Sequence, residues 1–320
     1  MTSAFTPAWW CRGPHLQTLW PYFMRRGPNP RLRRERLELP DGDFLDLDWN
    51  ANTSGPIVLI LHGLEGSSRS HYARALLAVT HARGWRGALL HFRGCSGEPN
   101  RLARGYHSGD TADLAHVVEV LRTRQHSAQI AVVGFSLGGN VLLKWLGESG
   151  ERAPIDAAVA VSVPFMLGEC ADRLAQGFSR IYQWELMHRM RRSVAHKRER
   201  IAMPLAITDL SRLRTFREFD EHVTAPLHGF RGATHYYDVS SCRQYLSGIS
   251  HPTLIVHALD DPFMTPATAP TAEEVSRSTT LELHRSGGHV GFVSGRWPWQ
   301  ARYWLDQRIP AFLAPHFGAA

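Results

Sequence analysis

The chain has 320 residues, of which 43% are hydrophobic, 20% charged and 10% aromatic; these ordinary globular values exclude wholesale disorder, collagen-like repeats and a coiled coil. The 36 Lys and Arg exceed the 29 Asp and Glu by 7 charges, so nucleic acid and anionic membrane surfaces have to be considered as partners. Apolar residues nowhere run uninterrupted for about 18 positions, which excludes a membrane span.

Two features of the sequence indicate the compartment. The four cysteines lie far apart without a CxxC pair, which argues against a disulfide framework and against a zinc knuckle. The first 26 residues are not expected to form a secretory signal, because Thr6, Pro7 and residues 11–14 (Cys-Arg-Gly-Pro) interrupt the apolar stretch. We therefore expect a cytoplasmic protein. The aromatic residues of this segment are predicted to pack onto the body of the protein, and a membrane-facing role is the alternative.

In chain order, the first predicted elements are a β-hairpin and then a series of buried strands. Residues 36–39 and 44–49 alternate between polar and apolar on either side of a Pro-Asp-Gly-Asp break, which is typical of a hairpin. Continuous apolar runs follow at 57–61, 87–90, 130–133, 157–163 and 254–256, with helical stretches at 72–82, 110–124 and 139–146. This alternation predicts an α/β fold with a doubly wound, mostly parallel sheet.

The alternation stops after Val163. Residues 164–248 are helix-prone, rich in Arg and aromatic residues, and without an apolar run typical of a strand. We therefore predict one α/β core interrupted by a helical cap. Residues 1–163 would form the N-terminal segment and the first part of the core, 164–248 the cap, and 249–320 the second part of the core.

A Gly-x-Ser-x-Gly motif stands between a predicted strand and a predicted helix. The strand 130–133 runs into Gly134, Ser136 and Gly138, and the helix follows. This context is typical of a nucleophile elbow, in which a serine on a sharp turn is exposed above the sheet. We predict Ser136 as the nucleophile.

A second glycine-containing loop follows the strand 57–61, in the order His62-Gly63-Leu64. Such a loop lets backbone N–H groups approach the oxyanion that develops in acyl transfer. We predict the backbone N–H groups of Leu64 and Leu137 as the oxyanion hole. His62 and Gly63 are interpreted as supporting loop residues, with His62 a hydrogen-bonding residue rather than a proton carrier.

A serine nucleophile needs a base, and the base needs an acid that orients it. In this fold the order along the chain is serine, acid, histidine. Asp260 and Asp261 follow the predicted strand 253–259, and His289 lies in a glycine-rich loop after the next strand. We predict His289 as the base and favour Asp261 as the acid, with Asp260 as the alternative.

Seven motifs between residues 13 and 292 carry a resemblance to a known family: GPHLQT at 13–18, HGLEGS at 62–67, FRGCSG at 92–97, GFSLGGN at 134–140, FREFD at 216–220, DDPF at 260–263 and GGHVGF at 287–292. The chain resembles the YheT-like branch, the alpha/beta hydrolase 4 group, of the α/β-hydrolase superfamily. The resemblance implies Ser136, Asp261 and His289 as the triad. It also implies hydrolysis of carboxylic esters without a metal ion or an organic cofactor.

Three functions are compatible with these residues. The first is a serine esterase that acts through an acyl-enzyme on short- to medium-chain or lipid-like acyl esters, so that the partner is a small-molecule substrate. The second is an acyltransferase with the same triad and an alcohol as acceptor. The third is a catalytically silent binding protein, which an intact triad argues against.

The positive charge is concentrated in two places, the N-terminal segment around 25–36 and the cap segment 188–200. A solvated helix face is the ordinary interpretation of such a run. The alternative is that the basic cap and the aromatic N-terminus dock on an anionic membrane, at its inner face. No nucleic-acid-binding motif is recognisable, so we expect no nucleic acid partner.

Overall fold

The computed structural model describes residues 4–318. Its central sheet consists of β1 (Arg33–Glu38), β2 (Phe44–Trp49), β3 (Ile57–Leu61), β4 (Arg86–His91), β5 (Ile130–Phe135), β6 (Ala157–Val161), β7 (Thr253–Ala258) and β8 (Thr279–His284). The order across the sheet is β1-β2-β4-β3-β5-β6-β7-β8. The pairs β1–β2 and β2–β4 are antiparallel, and all other pairs are parallel. The predicted hairpin and the predicted mostly parallel sheet are therefore confirmed.

The sheet is buried on both faces, as its continuous apolar strands predict. Alternate residues of β3 belong to different hydrophobic clusters: Leu59 and Leu61 pack on one face, and Val58 and Ile60 on the other. The first face is covered by α3 (Ala112–Arg124) and α4 (Leu137–Ser149), and the second by α2 (His71–Ala82) and α10 (Leu305–Leu313). The strand period of two thus distributes one apolar run between two cores.

Helices and turns fill the chain between β6 and β7, where the cap is predicted. They are α5 (Leu167–Leu174), α6 (Ser179–Arg198), α7 (Phe216–Phe219), a π-helical turn at Asp220–Thr224, α8 (Ala225–His228) and α9 (Ala233–Ser240). These helices bury a hydrophobic cluster of their own, which includes Leu174, Met187, Phe219 and Tyr236. The segment between β6 and β7 therefore has an apolar cluster separate from the two that pack on the sheet.

An N-terminal helix, α1 (Pro14–Met24), packs near the C-terminal part of the chain. There the short strands β9 (Val293–Ser294) and β10 (Arg302–Tyr303) pair with each other. The side chain of Gln17 is fully buried, and its amide bonds the backbone of Cys11 and Val293. Within residues 4–318, no helix is both long enough and apolar enough to cross a membrane.

Candidate active site

Ser136 lies on the tight turn between β5 and α4. Its φ of 52° and ψ of −120° are unusual for a residue with a side chain. Such a conformation costs on the order of 1–3 kcal/mol and persists only where the surrounding structure enforces it. The N–H of Ser136 donates to the carbonyl of Val161 at 2.8 Å, and its carbonyl accepts from Gly139 and Asn140. The turn is therefore held from both sides, which is typical of a nucleophile elbow.

Two glycines make this turn sterically possible. A Cβ on Gly134 would lie 2.5 Å from the carbonyl oxygen of Gly138. A Cβ on Gly138 would lie 2.6 Å from the carbonyl oxygen of His62, in the loop after β3. Both distances are too short for any side chain, so the elbow can approach the neighbouring backbone only with glycine at these positions.

The structure brings Ser136, His289 and Asp261 together in one chain of hydrogen bonds. His289 Nε2 lies 3.0 Å from Ser136 Oγ, and His289 Nδ1 lies 2.8 Å from Asp261 Oδ2. The Asp261 carboxylate is fully buried, and its other oxygen accepts the N–H of Phe263 at 2.9 Å. Because an ionised carboxylate only accepts, the His289 proton lies on Nδ1, and Nε2 is left to accept the serine hydroxyl.

Asp260 has a different environment. Its Oδ1 accepts the N–H of Gly288 at 2.9 Å, so it ties the end of β7 to the loop that carries His289. Burial, together with the nearby charge of Asp261, raises the pKa of Asp260. Among residues 4–318, the carboxylate that contacts the His289 ring is that of Asp261.

The loop that carries His289 is supported by residues to which the sequence analysis assigned no role. The N–H of His289 donates to the Thr18 hydroxyl at 2.9 Å, and that hydroxyl donates to the carbonyl of Pro14 at 2.7 Å. The next N–H, of Val290, donates to Ser162 Oγ at 3.0 Å. The signal for Thr18 was the GPHLQT motif, which carried the family resemblance but gave no indication of where α1 packs.

Phe263 supports the His289 ring directly. The two rings are parallel within 4° and their centroids are 4.0 Å apart. This stacking fixes the plane of the imidazole while Asp261 fixes its rotation. Phe263 in turn packs against Tyr182 of α6, at a centroid distance of 5.0 Å. The orientation of the His289 ring is therefore coupled to the cap.

The loop after β3 presents Leu64 between two anchored neighbours. The N–H groups of Gly63 and Glu65 donate to the hydroxyls of Tyr72 and Tyr106, at 2.8 Å in both cases. Neither the N–H of Leu64 nor that of Leu137, at the start of α4, has a hydrogen-bond acceptor within residues 4–318. Both residues border the same cavity as Ser136. The predicted oxyanion donors therefore have the free N–H groups that the role requires.

His62 is buried behind this loop. Its Nε2 accepts the N–H of Phe92 at 3.1 Å, and its Nδ1 donates to the carbonyl of Gly63 at 2.6 Å. Burial lowers the pKa of His62 to about 3, so the ring stays neutral. These contacts agree with the interpretation of His62 as a residue that supports the loop.

A cavity of about 320 Å³ extends from Ser136 and His289 under the cap. Most of its wall is apolar and comes from the cap helices, while charged and imidazole groups are also present. The apolar wall includes Leu167, Ala171, Leu174, Leu186, Met190, Val194, Phe216, Phe219, Val223, Leu227 and Phe263. Such a wall fits the hydrocarbon part of a small amphiphilic molecule.

Comparison with known proteins decides the family. A family model described as alpha/beta hydrolase fold matches residues 56–295. The chain belongs to the alpha/beta hydrolase family. It is 42% identical, over 95% of its own length and 91% of the relative's length, to the Escherichia coli protein named "Putative esterase YheT". This confirms the predicted YheT-like branch of the superfamily.

Further members of the family extend this picture. The chain is 29% identical to phospholipase ABHD3 of Bos taurus, over 98% of the chain and 79% of the relative. It is 32% identical to a monoacylglycerol lipase of Saccharomyces cerevisiae, over 84% of the chain and 61% of the relative. The solved Pyrococcus furiosus esterase Pf2001 aligns with a TM-score of 0.58 at 18% identity, covering 90% of this chain and 94% of its own, and confirms the fold. The relatives support hydrolase activity of the esterase kind.

Proposed function

We propose that the protein is a serine hydrolase of carboxylic esters that works through an acyl-enzyme. The observation that carries this proposal is the hydrogen-bonded chain from Ser136 Oγ through His289 to Asp261 at the edge of the cavity. A serine hydroxyl is a weak nucleophile at its ordinary pKa, and an oriented imidazole within hydrogen-bond distance is what activates it.

In the acylation step, Ser136 Oγ attacks the ester carbonyl carbon while its proton moves to His289 Nε2. The carbonyl oxygen becomes an oxyanion, which the N–H groups of Leu64 and Leu137 stabilise. The tetrahedral intermediate collapses, the bond to the alcohol oxygen breaks, and His289 returns the proton to the leaving alcohol. Asp261 stabilises the imidazolium that forms in between. Water then repeats the sequence on the acyl-enzyme and releases the acid.

The cavity supports short- to medium-chain or lipid-like acyl esters as the substrates. Its volume of about 320 Å³ lies at the lower end of ordinary ligand pockets, and its wall is mainly aliphatic and aromatic. The relatives named phospholipase and monoacylglycerol lipase act on lipid esters by their names, which agrees with such a wall.

A labelling experiment and a substrate panel test the proposal. We expect a fluorophosphonate probe to label the wild type and not the Ser136→Ala variant. The same pair is assayed on p-nitrophenyl esters with acyl chains of two to sixteen carbons, and we expect a maximum at short to medium length. Folded wild-type protein that is neither labelled nor active would overturn the proposal. Acid and ester products at a fixed alcohol concentration distinguish hydrolysis from acyl transfer by the same triad.

We also propose a peripheral contact with anionic membranes. Some cations of the basic cap segment 188–200 are held by contacts within the protein, while others, such as Arg192 and Arg200, are exposed. The Arg189 guanidinium donates hydrogen bonds to the Glu185 carboxylate and the Tyr22 hydroxyl. The Arg198 guanidinium donates to backbone carbonyls of the loop that follows α6, and Lys197 is buried. These contacts narrow the proposed surface to other parts of α1 and α6.

The proposed membrane surface consists of exposed apolar residues and two cations on α1 and α6 and directly beside them. The two helices are adjacent, because the Arg189 guanidinium donates to the Tyr22 hydroxyl at 2.6 Å and the rings of His15 and Phe178 are 4.2 Å apart. Phe23 is 70% exposed and Trp184 is 64% exposed. The rest of the surface is formed by Leu16, Tyr22, Met24, Phe178, Ile181 and the cations Arg26 and Arg180.

Aromatic side chains beside cations favour the boundary between lipid headgroups and acyl chains. We expect the protein to sediment with vesicles that contain anionic lipid and to be released by salt. The variant Phe23→Ser/Trp184→Ser should lose this binding. Absence of binding by the wild type, or equal binding by the variant, would contradict the proposed contact.

A further inference from the structure

Lys197 stands out among the cations of this chain. Of the 36 Lys and Arg residues, only Lys144 and Lys197 are lysines. Lys144 pairs with Glu148, whereas within residues 4–318 Lys197 has no carboxylate in an ion pair. Lys197 is only 8% exposed and lines the cavity that contains Ser136. Burying an ammonium without a counter-ion costs folding free energy. Because Lys197 lies in the cavity that contains Ser136, it is a candidate for contact with the substrate.

The position of Lys197 follows from the inner face of α6. Leu186, Met190, Val194 and Lys197 all line the cavity, at helical spacings of four, four and three residues. Side chains at these spacings share one face of a helix. The side of α6 that faces the cavity is therefore apolar from Leu186 to Val194, and the Lys197 ammonium lies at its far end. The near end lies close to His289, because Tyr182 of α6 packs against Phe263, which stacks on the His289 ring.

The Lys197 ammonium is only partly satisfied by the protein. It donates to the backbone carbonyl of Arg104 at 2.5 Å, and an ammonium has three donors. Burial lowers the pKa of Lys197 to about 8, which leaves the group charged at neutral pH. Asp43 attracts it, but that carboxylate already accepts from Asn100 and Arg93. The charge of Lys197 is therefore available to a ligand.

Two imidazoles lie on the cavity wall, and one of them, His228, is close enough to interact with the charge of Lys197. The rings of His107 and His228 are 4.6 Å apart. Burial and nearby positive charge lower their pKa to about 3 and about 4 respectively, so both are neutral at neutral pH. Neutral imidazoles can donate a hydrogen bond to an anion without adding charge to the site.

The carboxylates on the cavity wall are those of Glu65 and Asp220, and within residues 4–318 neither forms an ion pair with Lys197. The Glu65 carboxylate accepts the Tyr106 hydroxyl at 3.0 Å and the Ser193 hydroxyl at 2.5 Å, next to the predicted oxyanion donor Leu64. Glu65 therefore disfavours an anion close to the ester bond. Lys197, one helical turn beyond Ser193, is the place where an anion would be favoured.

We propose that Lys197 binds an anionic group of the ester substrate, a carboxylate or a phosphate, at a distance from the ester bond. This inference rests on the proposed esterase function and names the substrate class of the same cavity: amphiphilic esters with one charged end. A lysine ammonium is a common ligand for both kinds of anion.

Paired substrates test this proposal. Mono-p-nitrophenyl esters of dicarboxylic acids with four to twelve carbons are compared with p-nitrophenyl esters of the monocarboxylic acids of equal length. Acylglycerol phosphates are compared with the corresponding monoacylglycerols, so that the charge lies in the alcohol half. For the wild type, we expect kcat/KM of the charged ester to exceed that of its neutral partner about tenfold in at least one of the two sets. A hydrogen bond to a charged group contributes enough binding free energy for a difference of this size.

Variants assign the preference to Lys197. In Lys197→Met we expect this ratio to fall about tenfold or more, and in Lys197→Arg to be largely kept. Lys144→Met is the matched control, because Lys144 lies outside the cavity, and its ratio should equal that of the wild type. A wild-type preference for the neutral ester in every pair, or a preference that survives Lys197→Met, would overturn the inference while Ser136-dependent hydrolysis would still support the esterase.

Binding without turnover gives an independent measurement. Octyl phosphate and octanol are titrated into the Ser136→Ala protein and into the Ser136→Ala/Lys197→Met protein. We expect octyl phosphate to bind at least about tenfold more tightly than octanol, and only where Lys197 is present. Equal binding of octyl phosphate to both proteins would reject the subsite even if no ester in the panel were hydrolysed.

Discussion

Replacing each of the two adjacent aspartates by asparagine separates the candidate acids. Asp261 accepts a hydrogen bond from His289 Nδ1 at 2.8 Å, whereas Asp260 accepts one from the backbone N–H of Gly288 at 2.9 Å. Asparagine has nearly the same shape as aspartate, so the substitutions remove charge and acceptor capacity with little change in packing. Asp261→Asn should therefore affect the chemistry, and Asp260→Asn should affect the loop.

The expected magnitudes differ greatly. An amide at position 261 no longer stabilises the imidazolium and favours the wrong tautomer of His289, which lowers kcat by about 10⁴-fold, or about 5 kcal/mol of barrier. An amide at position 260 still offers Oδ1 to the Gly288 N–H. The loss is the difference between a charged and a neutral hydrogen bond, about 1 kcal/mol, or less than about tenfold in kcat. Asp260→Asn also removes a negative charge next to Asp261, and the lost repulsion between the two carboxylates partly offsets this reduction in kcat.

The assay is steady-state hydrolysis of p-nitrophenyl butyrate by the two variants and the wild type. Fluorophosphonate labelling reports the reactivity of Ser136 in parallel. Thermal unfolding of each variant shows whether the fold is kept. A larger loss of kcat in Asp260→Asn than in Asp261→Asn, with both proteins folded, would refute the assignment of the acid.

Three further substitutions test the surroundings of the site. Thr18→Val removes the acceptor of the His289 N–H, and we expect kcat to fall about 10- to 100-fold through misplacement of the base, with rescue by Thr18→Ser in the same kinetic assay. An unchanged kcat would show that this hydrogen bond does not position the loop. Gly138→Ala places a Cβ 2.6 Å from a backbone oxygen and should lower the free energy of unfolding by about 1–3 kcal/mol in urea, whereas Gly27→Ala, with no atom within 4 Å, should change it little. Equal effects would contradict the steric reasoning. Burial raises the pKa of Asp220 from 3.8 to about 6, so the protonated form stabilises the folded state. Relative to Asp220→Asn, the free energy of unfolding of the wild type should therefore fall by about 2 kcal/mol as the pH rises from 4 to 6. Urea denaturation curves whose difference does not change with pH would contradict this.

The sheet and its order of elements could be predicted because their signals are local. The run 57–61 is apolar at every position, and such a run fits a strand buried on both faces. The Ser136 motif was readable for the same reason, since strand, turn and helix follow within a few residues. His289 was predicted from flanking glycines and from the order of the triad along the chain.

The contacts that hold His289 could not be predicted in this way. Thr18 and His289 are 271 residues apart, and a threonine in a short amphipathic helix gives no indication of what its hydroxyl accepts. The choice between Asp260 and Asp261 was equally open, since both follow β7 directly. It depends on which carboxylate faces the ring, and this is decided by the turn that follows β7, whose backbone course the sequence does not reveal.

The basic run in the cap shows that consecutive charged residues in a sequence do not by themselves establish an exposed charged surface. Residues 188–200 read as a basic run, and a basic run on a helix is ordinarily exposed. A helix, however, returns to the same face every three to four residues, and Lys197 shares its face with Met190 and Val194 rather than with the neighbouring arginines. Apolar residues at such spacings indicate the buried face, and the charged residue that continues their stripe is the one that reaches the interior. The same run of charge therefore holds both an exposed surface and, at Lys197, the cation of the proposed substrate subsite.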